Sequence, residues 1–519
     1  MKEIPNECIY AILINFAKDN KSLYSCCLVN RSWCLNTLPI LWSNPLQREV
    51  SKSLIRTYLS TLSPEEKEPL ISFGITLPNL PKPLFKYGAF LKIFDISSTK
   101  DGVEMWLKQE GFVHYNSVVL ALAYDIVMES LITMFLRRSL NLEELVINGQ
   151  HMFPKVTTFL NVMPGITQLK TLQFKFQRFE NSTNTNITEL MNALTPEVCP
   201  YLNQLNIKSY LPNDVNDALV NIIKSHKNLE KIELDSSDIS RSIIVYNITN
   251  CANELTVREF FSCGITDKVM LFKNDNNNKQ TAYITFNQER AARFALLLTN
   301  STIYDSRITV KSSAGIDYIK IFQTFSYVGN SLKELMLQYT DFSKISPDNL
   351  ENISKCQNLV RFSCKNCQGM TLKHCTSLSK KKLNLKKLEI IGLSFDQIVM
   401  NALISMWGST LEVLHLNELN QETANALLIH CSNLKELSIN NLNAISLKFM
   451  YPFLLQSSLK SLLIDAKRQF YKEYVDLFQN LPITLNFLGL YTNFSDLEFE
   501  LYVKECKTIF LKPLNIKRI

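Results

Sequence analysis

One periodicity constrains this chain more than any other feature. The pattern Leu-x-x-Leu-x-Leu, with apolar substitutes, occurs at Leu142/Leu145/Ile147, Leu169/Leu172/Phe174, Leu202/Leu205/Ile207 and Leu229/Ile232/Leu234. It resumes at Leu332/Leu335/Leu337, Leu359/Phe362/Cys364, Leu385/Leu388/Ile390, Leu411/Leu414/Leu416, Leu434/Leu437/Ile439, Leu459/Leu462/Ile464 and Leu485/Leu488/Leu490. First positions are separated by 27, 33, 27, 103, 27, 26, 26, 23, 25 and 26 residues. Such a unit has an apolar strand face that it buries only against neighbouring units. Leucines scattered through an ordinary α/β domain would not hold this period.

The outlier of 103 marks an insertion. Removing one ordinary repeat of 27 leaves 76 residues, and Arg241 to Ser313 supplies 73 with a pattern of its own. Strands are predicted over Ile243 to Ile248, Lys268 to Lys273, Thr281 to Phe286 and Arg307 to Lys311. Helices are predicted over Leu255 to Cys263 and Gln288 to Leu298, with a turn at Asn274 to Asn278. That order is βαββαβ, the ferredoxin-like topology.

The first 45 residues read as three short helices. Pro5 suits a helix start, and Ile9, Ile12, Leu13 and Phe16 fall on one helical face. Asp19 and Asn20 cap a second helix carrying Leu23, Cys27 and Leu28; a third carries Trp33 and is expected to end before Pro39. Roughly 40 residues cannot bury a self-sufficient core. The segment still holds Trp33 and Trp42, two of four tryptophans, so its apolar surface must pack on the rest of the chain or on a partner. Residues 46–140 read as a helical linker layer, broken at Pro78, Pro81 and Pro83.

Composition excludes several classes. A net charge of +7 over 519 residues is too dilute to imply nucleic acid or membrane. The apolar run from Ser117 to Leu136 contains Asp125 and Glu129, which argues for a buried helix and against a membrane span. Lys2 and Glu3 lead straight into the helical pattern, so no signal peptide is expected. The 13 cysteines form no secretory framework, which fits a reducing compartment, cytoplasmic or nuclear. Cys356, Cys364, Cys367, His374 and Cys375 have zinc-like spacing, but the repeat accounts for them: Cys199 and Cys431 stand equally before Leu202 and Leu434. No phosphate loop or catalytic constellation appears, so no enzyme, cofactor or metal is expected.

Three families resemble these parts. The repeats resemble leucine-rich repeats. The order Ile-Pro-x-Glu, an amphipathic helix, Leu-Tyr-x-Cys-x-Leu-Val-Asn-x-x-Trp and Leu-Trp, over residues 3 to about 45, resembles an F-box. The insert resembles an RNA-recognition motif, with Ile243 to Ile248 as its first short motif, Lys279 to Phe286 as its octamer, and Phe260 to Gly264 and Ala291-Ala292 also fitting. The implied fold class is α/β: a leucine-rich-repeat solenoid (141–240 and 314–519) with an N-terminal helical F-box (1–45) and an inserted α+β ferredoxin-like domain (241–313).

The F-box resemblance implies docking to a Skp1-type adaptor, and through it a cullin, by Ile4, Pro5, Ile9, Leu13, Leu23, Val29 and Trp42. Ile4 stands where the family more often has Leu. The repeat resemblance implies a target-binding face that includes Lys175, Lys208, Asp235, Gln338, Lys365, His415, Asn417, Asn440, Asp465 and Tyr491. Its near-neutral balance suits a polypeptide target of unknown identity better than a phosphate backbone. RNA-recognition motifs stack bases on strand aromatics. Here Ile244 and Thr281 replace two of three such positions, Gln280 replaces a usual Gly, and the charge is nine basic minus six acidic residues, +3. Tyr283 and Lys279 remain as the possible RNA contacts, and RNA is expected to be the lesser partner. The expected function is therefore a non-catalytic substrate-recognition subunit of an SCF-type ubiquitin ligase. The alternative is an RNA-linked scaffold.

Overall fold

The computed structural model describes residues 4–46, 50–77, 83–111, 117–148, 153–155, 166–176, 185–209, 213–236, 242–273, 279–304, 306–312, 316–392, 395–442, 444–465, 476–491, 500, 504 and 515–518. The chain divides into two units, Met1–His226 with Arg241–Gly315, and Lys227–Ser240 with Ile316–Ile519.

The first unit opens with α1 (Asn6–Leu13), α2 (Asn20–Cys27) and α3 (Arg31–Leu41). Asp19 caps α2 by accepting from Lys21 N and Ser22 N, and Asn30 caps α3 by accepting from Trp33 N at 2.9 Å. The sequence predicts that α3 ends before Pro39, but the helix runs past it. Proline removes one donor, and in the last turn that costs a single intrahelical bond. Trp42 N still reaches Leu38 O at 2.9 Å. Ile9, Leu13, Leu23 and Ile40 form the core of these helices.

Next come α4 (Lys52–Ser60) and α5 (Pro64–Ser72), the latter started by a Ser63/Glu66 capping box. Then follow β1 (Ile93–Asp95), α6 (Lys100–Gln109) and α7 (Ser117–Arg138). By length and composition α7 could cross a membrane. Here Val127, Leu131, Ile132, Phe135 and Leu136 are fully buried within the unit. Arg138, at its C-terminal end, pairs with Glu66.

The strand β1 is a departure from the helical linker layer expected over residues 46–140. It pairs in parallel with β2 (Glu144–Asn148), Phe94 opposite Leu145. Leu91, Phe94 and Ile96 carry the same apolar spacing as the later repeats and are all buried. β3 (Thr171–Phe176), α8 (Thr185–Ala193), β4 (Gln204–Ser209) and α9 (Asn213–Ser225) continue the alternation. Leu145, Leu172 and Leu205 stand side by side across the strands, as do Ile147, Phe174 and Ile207.

The second unit begins at β5 (Lys231–Asp235). After it the chain builds β6 (Ser242–Thr249), α10 (Glu254–Phe260), β7 (Thr266–Lys273) and β8 (Lys279–Phe286). It goes on to α11 (Glu289–Leu296), β9 (Thr302–Ile303), β10 (Ser306–Arg307) and β11 (Thr309–Ser312). The βαββαβ order is present, with one small hairpin, β9–β10, that the sequence pattern did not announce. The expected turn at Asn274–Asn278 and the segment ends Arg241 and Ser313 lie outside the described residues.

The second unit then resumes with α12 (Tyr318–Thr324) and β12 (Glu334–Gln338). β12 lies directly beside β5, Ile232 opposite Leu335 and Leu234 opposite Leu337. Strand and helix alternate from there. They are α13 (Pro347–Ser354), β13 (Arg361–Lys365), α14 (Leu372–Leu378), β14 (Lys387–Ile391), α15 (Gln397–Trp407), β15 (Val413–Leu416), α16 (Gln421–His430), β16 (Glu436–Ile439) and α17 (Ala444–Gln456). β17 (Ser461–Asp465), β18 (Phe487–Tyr491) and β19 (Asn515–Arg518) complete it.

All these strands are parallel and neighbours in chain order. Ile232, Leu335, Phe362, Leu388, Leu414, Leu437, Leu462 and Leu488 form one buried row, each at most 1% exposed. Each such side chain contributes about 1.5–3 kcal/mol by leaving water. No strand could bury its row alone, and for that reason the sheet forms as an array. The molecule is thus a mixed α/β protein with a large parallel sheet and an inserted antiparallel one.

Candidate nucleic-acid interface

The inserted sheet has the order β11-β6-β8-β7, every pair antiparallel. Its inner face follows from alternation, offset by one residue where β6 slips between Val245 and Ile248. Ile243, Val245 and Ile248 on β6, Ala282, Ile284 and Phe286 on β8, Val269 on β7 and Val310 on β11 are buried against Val257, Phe261, Ala291, Ala292 and Ala295. Gly264 lets the two helical layers meet: a Cβ there would lie 2.3 Å from that of Ala291. Asn253 caps α10 by accepting from Thr256 N at 2.9 Å, and Arg258 donates to Thr266 O at 2.7 Å, fixing α10 to β7.

Gln280 departs from the family's usual Gly, and the structure gives it a use. It is 3% exposed, and its amide donates to Thr249 O at 2.8 Å and to Ala252 O. This ties the end of β6 to the turn before α10. The register of β6 against β8 slips between Val245 and Ile248, so Thr281 faces both Tyr246 and Asn247. Asn247 takes φ 65°, a left-handed value that Asn tolerates better than most residues.

On the outer face, Ile244 is 5% and Thr281 8% exposed, so neither offers an open surface to a base. Lys279 is exposed at the start of β8, opposite Thr249. Tyr283 lies on β8 between Ile244 and Met270. Sequence reasoning passed over Tyr246, which is partly exposed and stands opposite Thr309. Its signal was present in plain alternation: it follows inward-facing Val245 as Ile244 follows Ile243.

The other expected site residues divide. Ile9, Leu13 and Leu23 are 0–2% exposed and hold the first three helices together, so they are not contact residues. Helical spacing finds an apolar face without saying whether it turns inward. Trp42 is also engaged internally, stacked on Tyr87 at 4.0 Å and edge-on to Tyr58 at 5.7 Å. Ile4, Pro5 and Val29 are exposed, with Ile12, Ile14, Tyr24 and Leu28.

On the sheet face, Lys175 pairs with Asp95 at 3.0 Å, Asp235 is buried, and Gln338 donates to Glu233 Oε1 at 2.9 Å. Lys208, Lys365, Asn417, Asn440 and Asp465 are half-buried, and Tyr491 is exposed. His415 sits between the carboxylates of Glu389 (3.3 Å) and Glu436 (2.9 Å). Glu389 also receives Arg361 at 2.8 Å and Lys387 at 3.2 Å. Burial alone would raise its pKa, but hydrogen bonds from His415 and Arg361, with the charges of Arg361 and Lys387, hold it well below the carboxylate range.

Residues 243–309 match the RNA recognition motif family. Similar solved structures include the RRM3 domain of Mip6, 23% identical, covering 14% of this chain and 92% of that one with a TM-score of 0.14. Another is a structure of the N-terminal three RNA-binding domains of the yeast splicing factor Prp24, 24% identical, covering 14% of this chain and 33% of that one, also with a TM-score of 0.14. No curated protein matches the chain. The family match is confined to the insert. It lends nothing to the resemblances of the N-terminal helices and the repeats.

Proposed function

We propose that this chain is a non-catalytic, RNA-linked scaffold in which the inserted domain holds single-stranded RNA and the parallel-sheet units form its frame. This reverses the order in which the sequence ranked the two functions. The observation that carries it is the match of residues 243–309 to the RNA recognition motif family. The four-stranded sheet supports it, with Tyr283 on its central strand β8 and Lys279 exposed at that strand's start. Aromatics of such a sheet stack bases, and lysine answers the phosphates. The frame is read as leucine-rich repeats, and the site of action as cytoplasm or nucleus. Titrating the full chain against fluorescent single-stranded oligoribonucleotides tests the reading. Saturable binding that weakens linearly in log salt is expected. Its absence at low salt would refute the reading.

A second reading rests on a different observation. Ile4 just before α1, Tyr24 on α2, and Leu28 and Val29 just after α2 are 50–70% exposed. Clustered apolar exposure of this kind marks a docking surface. We propose that it takes a Skp1-type adaptor, linking the chain to a cullin, with the sheet face around Tyr491 left for a target protein. Co-purification of the adaptor with wild type, and its loss on Leu28→Asp with Val29→Asp, is the expected result. Retention by the double variant would sink this reading.

A further inference from the structure

We propose that Tyr246 is a base-stacking residue of the inserted domain, standing in for the aromatic missing at Thr281. The inference rests on the RNA reading above and assigns a residue that the family's stacking positions do not include. The argument starts from the strand slip. Val245 pairs with Ala282 and Ile248 with Gln280, so Thr281 has Tyr246 and Asn247 across from it.

Val245 and Ile248 point into the core, as do Ala282 and Val310. Tyr246 is outside that core, partly exposed, and opposite Thr309 on the neighbouring strand. Its ring therefore belongs to the outer face, next to the short Thr281 side chain. The aromatic has moved one strand over, from β8 to β6. Plain alternation puts it there: Val245 faces in, Tyr246 follows facing out and pairs with Thr309 without a register shift, and the slip only lets Asn247 share that side before Ile248 returns to the core. Gln280 pins the bulge from below through Thr249 O and Ala252 O.

Lys279 completes the chemistry. It lies two residues before Thr281 on β8 and so shares the outer face, exposed and close to the slipped end of β6. A nucleotide with its base on Tyr246 brings its phosphate toward that ammonium. Stacking is sequence-tolerant because every base has a π-face. The ligand class is therefore single-stranded RNA of mixed sequence.

The test uses the full chain and mixed-sequence RNA octamers. Tyr246→Ala should bind about tenfold more weakly and Tyr246→Phe within about twofold of wild type, since the ring and not the hydroxyl stacks. Adding Thr281→Phe to Tyr246→Ala should restore affinity by returning the ring to β8. An independent arm needs no variant: octamers carrying 5-bromouracil are irradiated with wild type and the crosslinked peptide is sequenced. Crosslinking at Tyr246 supports the inference. Wild-type binding that Tyr246→Ala leaves undiminished, or crosslinks confined to other residues, overturns the inference and leaves the RNA reading standing. No binding by wild type overturns both.

Discussion

The Glu389 cluster makes the strongest claim on stability. Its carboxylate side chain is 5% exposed and is met by Arg361 at 24% and His415 at 18%. Removing one partner of a buried pair typically costs 3–5 kcal/mol, because the other charge stays buried. Arg361 keeps a second partner, Glu334 at 3.3 Å, so the lower end applies. Glu389→Ala should cost about 3 kcal/mol, and Glu389→Gln about half of that, since an amide oxygen still accepts from Arg361. Hydrogen exchange followed by mass spectrometry reads this strand by strand: peptides from β13 to β15 should exchange faster by about two powers of ten in Glu389→Ala.

The pH dependence has a definite sign. A carboxyl held below its unfolded value of 4.5 contributes stability that is complete above that value and lost as pH falls toward the folded one. The gap between wild type and Glu389→Gln should thus be flat above pH 4.5 and shrink by roughly 1.4 kcal/mol per unit below it. Unchanged exchange in β13 to β15, or a gap indifferent to acid, would refute the argument.

Three further outcomes are expected. Trp42→Ala removes a ring packed on Tyr87 and Tyr58; it should destabilise the N-terminal part by about 3 kcal/mol in thermal unfolding. Gln280→Ala removes the amide that donates to Thr249 O and Ala252 O, and Thr249 O keeps the Ala252 N–H at 3.1 Å; it should cost about 1–2 kcal/mol, seen as faster exchange at the end of β6. Replacing residues 242–312 with a short Gly/Ser linker should leave β5 protected beside β12, because closure entropy grows only logarithmically with length. Loss of protection at Ile232 in that deletion would make the insert part of the frame's own core.

The parallel sheet was legible because the requirement that writes it is repetitive. Leu335, Phe362, Leu388 and Leu414 recur at nearly constant spacing and stand in one register row. Leu91/Phe94/Ile96 obeys the same rule, yet β1 escaped notice because a phenylalanine in a helical neighbourhood does not advertise a strand. The alternation of Ile243, Val245, Ala282 and Ile284 likewise announced the inserted sheet.

The site was less legible. Alternation from Ile243 and Val245 already sets Tyr246 on the outer face; hidden from sequence is the slip after it, which leaves Tyr246 and Asn247 together opposite Thr281. The N-terminal helices failed in another way. Ile9 and Ile12 lie three apart on one stripe, but Ile9 is 2% exposed and Ile12 42%. Only packing decides which part of a broad apolar stripe faces in.

The placement of the insert has a consequence in time as well as space. Glu230 and Lys333, joined at 2.7 Å, are separated by 103 residues of chain. A ribosome adding about 5–20 residues per second needs roughly 5–20 s to deliver the second after the first. During that interval β5 waits without the neighbour that covers Ile232 and Leu234. The inserted domain emerges meanwhile with its own core from Ile243 to Val310, and a unit of that size closes far faster than it is synthesised. Synthesis therefore sets a fixed order: the insert is finished before β12 can pair with β5.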